Sequence, residues 1–195
     1  MLEIELKIEL NKRSEEKLRK FIASRGVKGR EAREDDYYLD RNFELARGDK
    51  ALRIRLAEIN SEKMIELTYK GAKLSNKIKS RHEITIKLEE RNIDAVLHLF
   101  EQLGYDLVGV VKKTRTYWDI EKDGWKFLVS LDRVEDLGTF MEIETLRDME
   151  EKEEAERKVH ELLDLMTGEE AGKSKSILQS YLELVLAKRG HLPDF

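Results

Sequence analysis

The chain contains no cysteine, so disulfides and thiolate metal sites are excluded together. It has no apolar run approaching the length of a membrane span, and it begins with a strand-like pattern in place of a charged and apolar leader. A cytoplasmic location with no membrane partner is the expectation. Nor is there an excess of one charge: Lys+Arg 37 nearly cancels Asp+Glu 41, leaving −4. Surfaces for nucleic acid or anionic membrane show as a basic excess, so no nucleic-acid partner is expected and any anion site must be a local concentration of positive charge. Tandem repeats and low-complexity segments are absent too.

What the chain has is charge of both signs, 40% of all residues, which together with the missing cysteine is a composition common in thermophilic proteins. Its 195 residues suffice for one well-buried domain, residues 1–195. The first ten residues alternate without a break. Side chains on a strand point to opposite faces in turn, so Glu3, Glu5, Lys7 and Glu9 share one face and Leu2, Ile4, Leu6, Ile8 and Leu10 the other. The pattern returns as Arg53 with Arg55, Thr68 with Lys70, Arg81 with Glu83, Lys113 with Arg115, and Glu142 with Glu144, each flanked by apolar residues of opposite parity. A solvent face would mix in Ser, Thr and Gln; these positions favour Arg and carboxylates, which suit phosphate and metal ions.

Taken in order, Asn11 or Ser14 caps a helix to about Ser24, and Gly29 to Asp36 reads as a polar loop before a short strand, Asp36 to Asp40. Asn42 to Lys50 reads as a loop. Strands Ala51 to Glu58 and Lys63 to Lys70 form a hairpin about Asn60-Ser61. A basic loop, Gly71 to Ser80, precedes a strand from Arg81 to Leu88 and a helix from about Asn92 to Leu103. Three strands follow, about Asp106 to Ile120, Trp125 to Arg133 and Gly138 to Thr145, then helices from Met149 to Met166 and Ser174 to Lys188. Trp118 and Trp125 read as packing residues, and His191 to Phe195 carry no signal.

About eight antiparallel strands of this kind have few ways to pack. Charges turned outward would leave the amphipathic helices nothing apolar to cover; charges turned inward give a closed eight-stranded antiparallel β-barrel with helices on an apolar exterior, an α+β fold. The inward set is Lys7, Arg53, Arg55, Lys70, Arg81, Lys113 and Arg115 with Glu3, Glu5, Glu83, Asp132, Glu142 and Glu144. Ions cost several kcal/mol to desolvate, so such a lumen stays wet or holds a multiply charged ligand. The basic residues suit a polyphosphate, and the carboxylates of the first and last strands suit Mg²⁺ or Mn²⁺. Replacing one cation by alanine should relieve like-charge crowding and spare the fold.

These residues are recognisable as a set. Glu3-Ile4-Glu5-Leu6-Lys7 resembles the ExExK signature that opens the CYTH superfamily, which includes class IV adenylyl cyclases, thiamine triphosphatases and inorganic triphosphatases. Leu52-Arg53-Ile54-Arg55, Thr68-Tyr69-Lys70-Gly71, Arg81-His82-Glu83, Lys113 with Arg115, Asp132 and Glu142-Ile143-Glu144 follow in family order, and Ser180-Tyr181 is similar to a closing SY pair. The resemblance covers nearly the whole chain. It implies a triphosphate tunnel in which Lys7, Arg53, Arg55, Lys70 and Lys113 are catalytic and bind phosphate together with Arg81 and Arg115. It likewise implies Glu3, Glu5, Asp132, Glu142 and Glu144 as ligands of Mg²⁺ or Mn²⁺, with Glu83 orienting Arg81. Asp36-Tyr37-Tyr38 is similar to a D-x-Y element of the short class IV cyclase branch, which places Tyr37 or Tyr38 near the ligand. The implied partner is a triphosphate-containing small molecule: ATP, tripolyphosphate or thiamine triphosphate. Conversion of ATP to cyclic AMP and pyrophosphate comes first, with a triphosphatase and a non-catalytic polyphosphate-binding module as alternatives. An apolar barrel exterior would also support a homodimer.

Overall fold

The computed structural model describes residues 2–74, 79–168 and 176–190, which form nine strands and five helices. The strands are β1 (Leu2–Glu9), β2 (Arg30–Asp40), β3 (Ala51–Ile59), β4 (Glu62–Lys70), β5 (Lys79–Arg81), β6 (Glu83–Leu88), β7 (Asp106–Lys122), β8 (Trp125–Val134) and β9 (Gly138–Arg147). All neighbours are antiparallel, in the order β5-β1-β9-β8-β7-β2-β3-β4-β6. The two edges of this sheet, β5 and β6, are consecutive in the chain and separated by His82 alone, so the sheet curls into a nearly closed barrel.

That junction corrects the expectation of eight strands. Arg81 to Leu88 is not one strand: Arg81 pairs with Glu3 of β1, whereas Glu83 pairs with Lys70 of β4. The chain crosses from one sheet edge to the other at exposed His82, and closure by such a step splits the ladder in two. A second correction concerns Gly29 to Asp36, expected as a loop. Arg30–Asp40 is a strand of 11 residues, hydrogen-bonded to β3 on one side and β7 on the other. Ala32, Glu34 and Asp36 are buried while Glu31 and Arg33 are exposed. The alternation is present, but it runs between buried and exposed charges, which a hydropathy pattern cannot register.

The hairpin forms as expected, with left-handed backbone at Asn60 (φ 52°) and Ser61 (φ 66°), the conformation of a type I′ turn. Helix α1 (Lys12–Ser24) is capped by Asn11, whose side chain accepts from Ser14 N–H at 2.9 Å. With α4 (Lys152–Thr167) it covers the apolar faces of β1 and β9, where Leu2, Ile4, Leu6, Ile8, Met141 and Ile143 meet Leu18, Val159 and Leu162 in the main core. Each such side chain contributes roughly 1.5–3 kcal/mol of burial, so the core lies outside the barrel and leaves its interior to charge. Trp118 and Trp125 belong to this core, as expected. Helix α3 (Ile93–Gln102) packs Ile93, Val96 and Phe100 over Leu52, Ile54 and Ile65.

Within the expected loop from Asn42 to Lys50 lies a short helix, α2 (Glu44–Arg47), held by the Asp40 carboxylate, which accepts from Leu45 and Ala46 N–H at 3.0 and 2.9 Å. Helix α5 (Tyr181–Lys188) starts later than expected, at a capping box of Ser180 and Glu183. Ahead of it Ile177 N–H donates to Lys7 O at 2.8 Å; Ser174, Lys175 and the 191–195 tail lie outside the described residues. Leu182 of α5 comes so near β7 that a Cβ on Gly109 would stand 2.4 Å from its Cδ1, which is why a residue without a side chain sits there. Among the described residues no helix is long and apolar enough to cross a membrane.

Candidate active site

The charged parity of β1, β3, β7 and β9 turns into the barrel. It lines a cavity of about 410 Å³, to which the described residues contribute eight basic and ten acidic side chains. Lys7, Arg53, Arg55, Lys70, Arg81, Lys113, Arg115, Glu3, Glu5, Glu142 and Glu144 all line it; Asp132 does not. Glu34 of β2, which the sequence reading missed, and Asp36, which it named only within the D-x-Y element, line it too. A signal for them existed: both sit at i, i+2 spacing in phase with Ala32 and Tyr38, in the segment taken for a loop.

Those two carboxylates overturn the expectation of crowded cations. Arg55 forks onto Asp36 at 2.6 and 3.0 Å and lies 3.1 Å from Glu34. Lys113 sits 3.1 Å from Glu34 and 3.5 Å from Asp36, and Arg53 is 3.8 Å from Asp36. Burial alone would raise these acids, but Lys113, with Arg115 and Arg55, holds Glu34 down at about 2, and Lys113, Arg55 and Arg53 hold Asp36 well below the usual carboxylate range. Both are ionised at neutral pH, and the guanidinium of Arg55 is held correspondingly high against its own desolvation. Removing one cation therefore strands a buried anion.

Two residues along β7 from Lys113, Arg115 makes two bonds of 2.6 Å to Asp132 and another to Glu142. Asp132 also accepts from the Tyr181 hydroxyl at 2.8 Å, so its oxygens are engaged by Arg115 and α5. Lys7 lies 3.2 Å from Glu142, 3.6 Å from Glu5 and 3.9 Å from the centre of the Tyr181 ring. Lys70 bonds Glu83, so Glu83 orients Lys70; Arg81 instead faces Asp49 at 4.0 Å. Of the two candidate tyrosines, Tyr38 lines the cavity, whereas Tyr37 packs in the outer cluster under α3.

The remaining carboxylates crowd one another. Single oxygens of Glu5, Glu142 and Glu144 lie within 4.8 Å of each other. Burial, then Glu3 and the neighbouring glutamates, push Glu144 well above the usual range, with Arg115 opposing. Burial raises Glu3 to about 7, with Lys70 opposing and Glu83 and Glu5 reinforcing. Repulsion of this kind is what a hard divalent cation relieves, and an all-oxygen donor set fits Mg²⁺ or Mn²⁺.

A pH dependence follows. Because Glu3 holds its proton more tightly in the folded state than at its ordinary 4.5, its contribution to stability is complete below about pH 4.5 and is lost as pH rises through about 7. With divalent cations chelated, denaturant unfolding at pH 8 should therefore show roughly 2–3 kcal/mol less from this group than at pH 5. Glu3→Gln should flatten that slope; identical slopes for the two proteins would remove Glu3 from the account.

Residues 1–177 match the CYTH domain. Over 192 residues the chain is 32% identical to a Methanocaldococcus jannaschii protein named "Putative adenylate cyclase", covering 94% of this chain and 98% of that one. The solved structure of a Pyrococcus horikoshii protein, 36% identical, has a TM-score of 0.82 and covers 96% of this chain and 99% of its own. A Hippeastrum protein described as a "putative adenylyl cyclase" with "dominant" triphosphatase activity shares the fold at 17% identity, TM-score 0.63, with 98% and 97% covered.

Proposed function

This chain belongs to the CYTH domain family, and from that premise we propose that it is a metal-dependent enzyme acting on a triphosphate substrate in the barrel, with conversion of ATP to cyclic AMP and pyrophosphate as its reaction. The observation that carries this reading is the division of the cavity. Arg53, Arg55 and Lys113 stand over Glu34 and Asp36 on one wall, and Glu5, Glu142 and Glu144 converge on the other. The name carried by the Methanocaldococcus relative agrees with it.

Glu5, Glu142 and Glu144 would hold Mg²⁺ or Mn²⁺, which supplies neutralisation of the phosphate charge when bound. Arg53 offers a forked donor to phosphate oxygens, and Arg55 and Arg115, whose forks are held by Asp36 and Asp132, add positive charge together with Lys7, Lys70, Arg81 and Lys113. In the cyclase reaction the ribose 3′-oxygen, losing its proton, forms a bond to the α-phosphorus while the bond to the β-phosphate oxygen breaks and pyrophosphate leaves. Charge builds on the bridging and non-bridging oxygens during that step, and fixed cations that need not reorganise are where most of the rate comes from.

Lys113→Met should accordingly lower turnover by about a hundredfold or more, the size of effect seen when one fixed donor at the reacting oxygens is lost. An unchanged kcat would sink the assignment of that wall. The reaction itself is read by phosphorus NMR of products from ATP, and separately from tripolyphosphate, with Mg²⁺ or Mn²⁺. Cyclic AMP with pyrophosphate is expected. Orthophosphate would make the enzyme a triphosphatase, and no product from either would make the barrel a binding module.

A further inference from the structure

One buried polar atom beside the converging carboxylates has no bond to account for it. Ser130 of β8 is 1% exposed, and its Oγ has no hydrogen-bond partner among the described residues. Such a hydroxyl is costly, because it gives up water and gains nothing in exchange. Register fixes what surrounds it. Ser130 stands directly opposite Glu142 on β9 and Tyr117 on β7, so all three share the inward face. One pleat to one side Leu128 faces Glu144, and one pleat to the other Asp132 faces Arg115. Other buried atoms without a hydrogen bond lie elsewhere: Glu34 Oε2 and Arg53 Nε belong with the cations around Asp36, and Ser80 stands opposite Ile4 on the outer face.

We propose that Ser130 is a positioning residue of the metal site, its hydroxyl donating to the Glu142 carboxylate when a divalent cation is held by Glu5, Glu142 and Glu144. The assignment rests on the metal-dependent reading above and goes beyond it by naming the group that sets one ligand. Without metal, Glu142 is neutralised by cations: Lys7 lies 3.2 Å from its Oε1, and Arg115 bonds its Oε2. A divalent ion entering the trio repels both, so each supports Glu142 less when the orientation of that carboxylate matters most. A hydroxyl has no such conflict, being a neutral donor. The acceptor follows by elimination. Arg115 has donors only, and Tyr117 carries its hydroxyl at the far end of its ring, which leaves the two carboxylates. Glu142 is the one directly opposite, with β-carbons about 4.5–5.5 Å from those of its strand partner, whereas Glu144 lies on the diagonal. Alanine would fill the same place; only the hydroxyl calls for an acceptor.

The test is a calorimetric titration of Mg²⁺ alone into the full chain, into Ser130→Ala and into Ser130→Cys, with urea unfolding of the parent and Ser130→Ala in chelator. In chelator Ser130→Ala should be at least as stable as the parent, since the hydroxyl bonds nothing there. Mg²⁺ should bind it about tenfold or more weakly, the usual effect of removing the partner of a metal ligand. Ser130→Cys nearly keeps the volume but is a weak donor, so its affinity should fall by a similar factor. Unchanged Mg²⁺ affinity in Ser130→Ala would overturn the assignment, as would a loss of stability in chelator, which would mean that the hydroxyl already serves the fold. Parent-like affinity in Ser130→Cys beside a loss in Ser130→Ala would assign the effect to volume and overturn it as well. If the unaltered protein takes up no Mg²⁺, the metal-dependent reading itself fails, and the role of Ser130 with it.

Discussion

Arg115→Met is expected to cost about 3–5 kcal/mol of folding stability, the effect of stranding buried charge by removing its partner. Arg115 is 7% exposed and makes three short bonds to Asp132 and Glu142. Those carboxylates, with Glu34, hold its guanidinium far into the charged form in spite of burial. Methionine fills the volume but leaves Asp132 with only the Tyr181 hydroxyl bond to compensate it among the contacts described above. Arg115→Lys, which keeps the charge and loses the fork, should recover part of the loss. Urea unfolding of the three proteins decides the matter: equal midpoints would mean that the lumen is wet enough to screen its ion pairs, contrary to the closely paired arrangement described here.

Glu144→Gln should move two quantities in opposite directions. Without metal the variant should be more stable than the parent at pH 8, because burial and the facing Glu3, Glu142 and Glu5 make the ionised Glu144 costly. With metal it should bind Mg²⁺ at least about tenfold more weakly, since one oxygen donor of the converging trio is gone. A Mg²⁺ titration followed by thermal unfolding reads both. A structural role alone predicts loss of stability in both conditions, and a spectator predicts no change; either result removes Glu144 from the metal site.

Much of this was legible in the sequence because the strands keep strict period-two order while exchanging Ser, Thr and Gln for Arg and carboxylates. That order located β1, β3, β4, β7, β8 and β9 and gave the parity of Lys7, Arg53, Arg55 and Glu142. It failed at Glu34 and Asp36, where both faces of β2 carry charge and hydropathy has no contrast to report. It failed again at Arg81 to Leu88, because the step from β1 to β4 at His82 is a property of barrel closure and leaves no mark on side-chain type. Charge pairing was hidden for a different reason. Arg55 and Asp36 are 19 positions apart and meet only through the register of β2 with β3. The surroundings of Asp132 were hidden likewise: it resembles a ligand by motif, and its register opposite Arg115 and beneath Tyr181 engages it in the protein's own bonds.

Under the proposed function, the cavity should bind a triphosphate only together with divalent cations. Its lining carries ten acidic against eight basic side chains, and even with Glu3 and Glu144 protonated it has no positive excess with which to meet a chain of several negative charges. Tripolyphosphate titrated into the protein by calorimetry, first with Mg²⁺ and then with a chelator, measures this directly. Tight binding is expected with Mg²⁺ and a loss of about a hundredfold or more without it; equal affinity in the two conditions would contradict the metal-dependent reading.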